Sequence, residues 1–261
     1  MEQVVTQVVV SRLGSALSKY DFVCTVEARR QHESLIRLLR ELDIEVVEAP
    51  AGICPDSAFI GHTAFVLNGT ALMARGQRPD RQTDVEKTIE ILQKELRINA
   101  IVLLAMDAKL DAGDILFTGR EFFVGLSNWS NELGARALAE TFPEFPCTPI
   151  KVPEGKLNQY VSLAGPDVLC VGESAGARTV LRRLERAASH AYTTLTVPEE
   201  WAANCLYING TLIHRAIEEI PQSFQVFCEK VDFARRSVCY SELSKISAGL
   251  TSACLLIRKT N

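Results

Sequence analysis

Tight turns that contain glycine recur along this chain at nearly regular intervals, and each lies between two short apolar runs. Successive turns are 50, 46, 45 and 39 residues apart, with the turn glycines at positions 69, 119, 165, 210 and 249. Two alternating apolar runs joined by such a turn are typical of a β-hairpin. Five hairpins at this spacing indicate a repeat architecture.

Helical segments and further apolar runs lie between the hairpins. Thr83 and Glu86 have the spacing of a capping box at the start of a helix whose apolar face is Val85, Ile89, Leu92 and Leu96. Leucine spacing predicts two more helices, one after Val26 and one after Ser174. The runs EVVEA and AIVLLAM then predict strands. The repeating unit is therefore a hairpin, a helix and a strand.

Five such units predict a five-bladed α/β propeller that forms one domain over residues 1 to 261. A predicted strand at Val8 to Val10 would pair with the C-terminal hairpin and close the ring, so that no sheet edge stays open. The rival architecture is a doubly wound parallel sheet. It fits poorly, because it needs longer crossover connections and no tight hairpins.

Charge and composition exclude several classes of partner. The chain carries 28 Lys and Arg against 32 Asp and Glu, and this balance gives no basic surface for nucleic acid. No apolar run approaches the ~18 residues of a membrane span, and no basic leader precedes the first apolar run. The eight cysteines form no C-x-x-C pair, so we interpret them as reduced and mostly buried. These features predict a cytoplasmic protein, and we expect a monomer or a homodimer without deriving that state from the sequence.

Known motifs for phosphate binding and metal binding are missing. Neither G-x-x-x-x-G-K-[ST] nor G-x-G-x-x-G occurs, and no pair among the four histidines has metal-ligand spacing. The run from Gly172 to Gly176 matches G-x-S-x-G, but we interpret it as the start of a helix. The sequence therefore predicts no metal site and no serine-hydrolase elbow.

The segment LDAGDILFTGREFFVGLSNWSN, residues 110 to 131, resembles dimethylarginine dimethylaminohydrolase of the animal type. The likeness continues through RQHES, TALMAR, LTVPEEWAANCLYI, LIHR, YSELSKI and AGLTSACLLI, so it covers nearly the whole chain. This family belongs to the guanidine-modifying pentein superfamily, and the chain is more similar to its second animal form. The resemblance implies a five-bladed α/β propeller with a site on its central axis.

The family reaction converts methylarginine to citrulline and an amine without a cofactor. A cysteine thiolate attacks the guanidinium carbon, and a histidine held by an acid moves protons. The resemblance places Asp111 at the acid that orients this histidine. It places Asp56, Arg81 and Ile246 at substrate-binding positions.

Other family positions carry different residue types here. Gly61 and His62 stand at the pair of acids that grip the guanidinium, and Trp129 replaces the arginine that pairs with the substrate carboxylate. The histidine position falls on Lys156 or on Leu157, depending on the end from which the segment is aligned. The loop from residue 17 to residue 24, where the family lid lies, is short.

The nucleophile position falls on Ser252, and the nearest thiol is Cys254. On an extended strand these two residues would lie about 6.5 Å apart along one face, so Cys254 could not replace the nucleophile without a shift. The simplest interpretation of Cys254 is a buried thiol, and the alternative is a thiol that lines the site. We interpret Lys156 as solvated, with a salt bridge to Asp111 as the alternative. His62 is either a hydrogen-bonded structural ring or a substitute proton carrier.

Two hypotheses of function follow from this pattern. In the preferred one the fold is intact, the family activity is lost or greatly reduced, and the chain binds a small guanidino-type ligand or a protein partner. In the alternative the chain is a working hydrolase of methylarginine or another guanidino or amidino compound. Cys254 would then be the nucleophile, and His62 or Lys156 would carry the proton. An amidinotransferase would need the same missing residues.

Overall fold

The computed structural model describes residues 3–75, 81–246 and 249–260. Fifteen strands are present in this part of the chain: β1 (Gln3–Ser11), β2 (Glu45–Ala49), β3 (Ala64–Leu67), β4 (Thr70–Met73), β5 (Ala100–Val102), β6 (Ile115–Phe117), β7 (Phe122–Leu126), β8 (Cys147–Lys151), β9 (Val161–Gly165), β10 (Val168–Gly172), β11 (Thr193–Val197), β12 (Leu206–Ile208), β13 (Thr211–Arg215), β14 (Ala234–Val238) and β15 (Cys254–Thr260). The α-helices are α1 (Thr25–Glu41), α2 (Gln82–Lys94), α3 (Glu132–Thr141), α4 (Ala175–Ala187), α5 (Pro221–Lys230) and two single turns, α6 (Ser241–Ser244) and α7 (Leu250–Ala253).

The strands form five three-stranded units of one design. In each unit two antiparallel strands are followed by a helical crossover to a third strand, which pairs in parallel with the second strand. Three units are separate sheets, β6-β7-β8, β9-β10-β11 and β12-β13-β14. The other two are β15-β1-β2 and β3-β4-β5, which join into one six-stranded sheet. The predicted hairpin, helix and strand repeat is therefore confirmed.

The chain termini close the ring of units. β1 pairs antiparallel with β15, with Val10 opposite Cys254, so the predicted pairing of the strand at Val8 to Val10 is confirmed. The prediction of a fifth hairpin around Gly249 is wrong. The segment before Gly249 contains the helical turn α6, and the segment after it contains α7. The fifth antiparallel pair is made instead by the two ends of the chain.

The turns and helices follow the local sequence signals closely. Asn68 and Gly69 both have positive φ, at 51° and 79°, as the type I′ turn between two twisted strands requires. Ser174 caps α4 by accepting a hydrogen bond from the backbone of Ala177. The prediction of a capping box at Thr83 is wrong, because α2 begins at Gln82 and no side chain caps its first turn.

The apolar residues are buried in five clusters, each of which contains residues of a crossover helix and of strands from neighbouring units. α1 packs Leu35 and Leu39 against the β1 side of the core, and α4 packs Val180 and Leu184 against β10. The turns that precede β3, β6, β9 and β15 meet at one cavity between the units. No helix among the described residues is long and apolar enough to cross a membrane.

Three of the cysteines are buried, namely Cys170, Cys205 and Cys254, whereas Cys24 and Cys228 are exposed. All eight are free thiols, as expected, but the expectation that most are buried is wrong. The predicted strand AIVLLAM, residues 100–106, is a strand only over its first three residues. The rest of the run leaves the sheet, and Leu103 and Met106 are exposed.

Candidate functional site

A cavity of about 310 Å³ lies on the axis of the propeller. Eight side chains were predicted to act in catalysis or substrate binding, and seven of them line it: Asp56, His62, Arg81, Asp111, Trp129, Lys156 and Ile246. The eighth, Cys254, does not. Residues from four of the five units therefore converge on one site although they are far apart in the sequence.

Short irregular turns, rather than long elements, position the polar groups of this cavity. His62 ends a 3₁₀ turn that begins at Ile60, immediately before β3. Asp111 caps the turn Ala112–Asp114, and its Oδ1 accepts a hydrogen bond of 2.8 Å from the backbone N–H of Gly113. Such caps fix the direction of the carboxylate before any ligand is present.

One continuous chain of contacts links the acid, the lysine, the histidine and a serine. The Nζ of Lys156 lies 2.7 Å from Asp111 Oδ2 and 2.9 Å from His62 Nδ1. The other ring nitrogen of His62, Nε2, lies 2.8 Å from the Oγ of Ser252. Asp111 Oδ1 is 3.7 Å from His62 Nδ1, so Lys156 is the closer neighbour of the ring.

Lys156 fixes which nitrogen of His62 carries the proton. An ammonium group has three donors and no acceptor, so in contact with Lys156 the Nδ1 of His62 must be the accepting nitrogen. The proton of the neutral ring is then on Nε2, where it is donated to Ser252 Oγ. In this arrangement His62 cannot take a proton from Ser252.

The charge state of His62 follows from its surroundings. Burial lowers its pKa to about 3; Asp111 opposes this shift, while the positive charges of Lys156 and Arg81 add to it. Burial alone would raise the pKa of Asp111, but His62, Lys156 and the Gly113 N–H outweigh it and hold that pKa below its usual value. At neutral pH the site contains a neutral imidazole beside an ion pair.

The interpretation of Lys156 as a solvated side chain is wrong. Its side chain is only 16% exposed and forms the ion pair with Asp111. Its ammonium also lies 5.4 Å from the centre of the Trp129 ring, a cation–π distance. Leu157, the alternative in the sequence alignment, is fully buried in the core and does not line the cavity.

The remaining predicted residues form the walls of the cavity. Arg81 donates to the backbone carbonyls of Asp56 and Phe59, and its Nε lies 3.4 Å from a carboxylate oxygen of Asp84. Its guanidinium is therefore largely occupied by the protein. Ile246 adds an apolar wall on the side of α6.

Gly61 lies against the backbone of residues 251–254. A Cβ at residue 61 would be 2.5 Å from the carbonyl oxygen of Thr251 and 2.7 Å from that of Cys254. These contacts are with backbone atoms, which cannot move aside as a side chain does. The position therefore excludes an acidic side chain unless the segment 251–254 shifts.

Cys254 belongs to the core and to a separate inner cavity. It is 3% exposed, packs in the cluster around α1 and also lines a cavity of about 100 Å³ beneath His62. Burial raises the pKa of its thiol to about 12. The assumption that it shares an extended strand with Ser252 is wrong, because Ser252 is in the helical turn α7 and Cys254 begins β15.

Two residues at the site, Asn204 and Asp114, were missed from the sequence. Asn204 holds α7 in place, since it donates to Thr251 Oγ1 and to the carbonyl of Asn158, and it accepts from the backbone of Thr251. No local pattern marks an asparagine that bonds across 47 residues. These bonds fix the position of Ser252.

The second missed residue is Asp114, whose side chain is fully buried behind the cavity. Burial raises its pKa to about 6, although Ser127, Ser130 and the N–H of Leu157 all donate to it. Asp114 thereby ties the loop after β7 to the turn that carries Lys156. Asp114 lies in the segment 110–131, where the family resemblance is strongest. That resemblance is the signal by which the sequence could have identified it.

None of residues 17–24 lines the cavity. Leu17 and Val23 are instead buried in the core against α1. No group of three or more metal-ligating side chains occurs in the described part of the chain.

Comparisons with known proteins agree on the relationship. No protein-family model matches the chain. A human protein named putative hydrolase DDAH2 is 34% identical over 254 residues, which is 94% of this chain and 88% of that protein. The cattle protein of the same name is 34% identical over 241 residues, 88% of this chain and 84% of that one. A dimethylarginine dimethylaminohydrolase of Pseudomonas aeruginosa is 24% identical over 255 residues, 94% of this chain and 92% of that protein.

Solved structures show the same fold. Dimethylarginine dimethylaminohydrolase of Pseudomonas aeruginosa in complex with citrulline superposes with a TM-score of 0.81 at 19% identity, over 97% of this chain and 100% of that one. The N-terminal domain of a cyanobacterial arginine dihydrolase gives a TM-score of 0.77 at 15% identity, over 96% and 97%. With its five-unit propeller and its relatives at 34% identity, the chain belongs to the dimethylarginine dimethylaminohydrolase family and has the pentein fold.

Proposed function

We propose that this member of the family binds a small ligand in the axial cavity and has lost the hydrolysis of methylarginine. The observation that carries the proposal is the position of Lys156. Its ammonium lies between Asp111 and His62, within 3 Å of both. The ammonium therefore takes the hydrogen-bonding place of the acid beside His62, the only imidazole that lines the cavity within the described residues, and Asp111 itself stays 3.7 Å from the ring.

The first support concerns the nucleophile. The family uses a thiolate, and a serine hydroxyl becomes nucleophilic only when a neighbouring base removes its proton. The sole candidate base within hydrogen-bond distance of Ser252 Oγ in the described structure is His62. Since Lys156 makes His62 Nε2 a donor, Ser252 has no acceptor for its proton.

The second support concerns Cys254, the nucleophile of the alternative hypothesis. Burial raises the pKa of this thiol to about 12, so almost none of it is the nucleophilic thiolate at pH 7. The residue also lines the inner cavity and not the larger one where a substrate would lie. Activity through Cys254 would therefore need both a change of its surroundings and a different approach for the substrate.

The third support concerns the charge of the ligand. A guanidinium cation needs unpaired carboxylates, but Asp111 is neutralised by Lys156, and Gly61 leaves no room for an acid. Arg81 lines the same wall, and its guanidinium is already paired with Asp84. These features favour a polar ligand without positive charge at the end that meets Lys156, with a flat group facing Trp129.

The test is citrulline release from asymmetric dimethylarginine by the purified chain, with calorimetric titration of the same compound. Ser252→Ala and Cys254→Ala are measured beside it, and the enzyme of Pseudomonas aeruginosa is the positive control. We expect no release from the chain or from either variant. Release that disappears in Cys254→Ala would establish the alternative hypothesis, and release that disappears in Ser252→Ala would show a serine nucleophile.

A further inference from the structure

One buried carboxylate, that of Asp114, receives hydrogen bonds from two separate segments of the chain behind the ligand cavity. Asp114 is fully buried and does not itself line the cavity. Its Oδ2 accepts from the hydroxyl of Ser127 at 2.6 Å and from the hydroxyl of Ser130 at 2.7 Å. Its Oδ1 accepts from the backbone N–H of Leu157 at 2.9 Å.

The two serines each hold a residue of the cavity by a further hydrogen bond. The Oγ of Ser127 accepts from the backbone N–H of Trp129 at 3.0 Å. The Oγ of Ser130 accepts from the backbone N–H of Asp111, also at 3.0 Å. Each hydroxyl therefore passes the position of the buried carboxylate on to one wall of the cavity.

The third bond fixes the segment that carries the lysine of the site. Leu157, whose N–H donates to Asp114, directly follows Lys156 in the chain. One carboxylate is thus the common anchor of three cavity residues that come from two separate parts of the sequence. These residues are Trp129, Asp111 and Lys156.

The network requires Asp114 to be ionised. All three groups that contact its oxygens donate hydrogen bonds, and only an ionised carboxylate accepts from all of them without presenting a donor of its own. Burial raises the pKa of Asp114 to about 6, and the nearby charge of Asp111 adds to this shift, whereas the three donors oppose it. Asp111 and Lys156 are the charged residues on the segments that contact Asp114, and they are paired with each other.

We propose that Asp114 is a positioning residue of the ligand cavity. Its ionised carboxylate fixes Trp129, Asp111 and Lys156 in place, and protonation of this carboxylate weakens all three attachments together. The inference concerns the same cavity as the proposed function. Its experiment needs neither a ligand nor turnover, so either proposal can fail without the other.

Two signals report on the two sides of the network. The chain contains two tryptophans, so in a Trp201→Phe background the fluorescence comes from Trp129 alone. The ring ¹⁵N shifts of His62 report on Lys156, because the ammonium lies 2.9 Å from Nδ1.

The first test is the pH dependence of Trp129 fluorescence. We expect a change of emission centred on the pKa of Asp114, about 6. Asp114→Asn cannot ionise and should lose this change. Glu132→Gln is the matched control, since it removes an exposed carboxylate three residues after Trp129, and it should keep the change.

The second test retains the carboxylate and removes one attachment at a time, which also serves if Asp114→Asn does not fold. Ser127→Ala should alter the emission of Trp129 and leave the ¹⁵N shifts of His62 unchanged. Ser130→Ala should move the His62 shifts, because it frees the backbone of Asp111, the partner of Lys156.

A pH-dependent emission that persists in Asp114→Asn would contradict the proposal, since another group would then control Trp129. The absence of any such change in the Trp201→Phe background would also contradict it. Equal effects of both serine variants on both signals would overturn it as well, because they would show a general loss of structure rather than separate attachments.

Discussion

Replacement of Lys156 by methionine tests how the ammonium controls His62. The ammonium lies 2.9 Å from Nδ1, and the positive charge of a protonated ring would be shared by two nitrogens. At a mean separation of ~4 Å and an effective dielectric constant of ~20, the repulsion is about 4 kcal/mol, or about 3 pKa units. Desolvation of the ring remains in the variant. We therefore expect the pKa of His62 to rise from about 3 to roughly 5 or 6.

The assay is a titration of the ring nitrogens by ¹⁵N NMR between about pH 2.5 and 8. Lys151→Met is the control, since it removes a lysine from an exposed position at the end of β8. A His62 pKa that stays near 3 in Lys156→Met would refute the electrostatic reasoning. So would a wild-type pKa near the ordinary value of about 6.5.

Three further predictions follow from the same region. Gly61→Ala should lower the free energy of unfolding by about 1 to 3 kcal/mol in urea denaturation, because the new Cβ would meet the carbonyl of Thr251; unchanged stability would contradict the close approach. Stability should fall as the pH drops from about 6.5 to about 3, by at most ~5 kcal/mol from His62, because the unfolded ring gains a proton in that window and the native ring does not. Because Asp114, with its raised pKa, has the opposite effect in this window, the test is the thermal midpoint of the chain relative to that of His62→Gln; a midpoint difference that does not change in this direction on acidification would refute the sign. Iodoacetamide at pH 7.5 should label the exposed Cys228 quickly and Cys254 only on unfolding, as followed by peptide mass spectrometry; rapid labelling of Cys254 in the native protein would restore the alternative hypothesis.

The fold could be predicted from the sequence because most of its repeat is local. The turn at Asn68 and Gly69 joins strands that are adjacent in the sequence, and the apolar spacing of α1 and α4 identifies their buried faces. The fifth hairpin could not be predicted correctly, because its two strands are the two ends of the chain. The glycine at 249 instead packs against Asn204, which is a contact that no local pattern reveals.

The site was predicted as a set of residues but not as a set of contacts. The resemblance identified Asp111, His62 and Lys156, and the structure brings all three into one cavity. Their contacts join positions that are 45 and 94 residues apart, and these depend on how short turns from different units meet at the axis. A lysine that follows a Pro-Glu-Gly turn would ordinarily be solvated, and only the carboxylate of a distant turn holds it inside.

The central claim is that Lys156 holds His62 as a donor toward Ser252, and the tautomer of the ring tests it most directly. Two-bond ¹H–¹⁵N spectra of the native protein at pH 7 distinguish a protonated ring nitrogen from a bare one. We expect the His62 proton on Nε2 and a bare Nδ1, as the contact with the Lys156 ammonium requires. A proton on Nδ1 with a bare Nε2 would make His62 a base for Ser252 and would contradict the account.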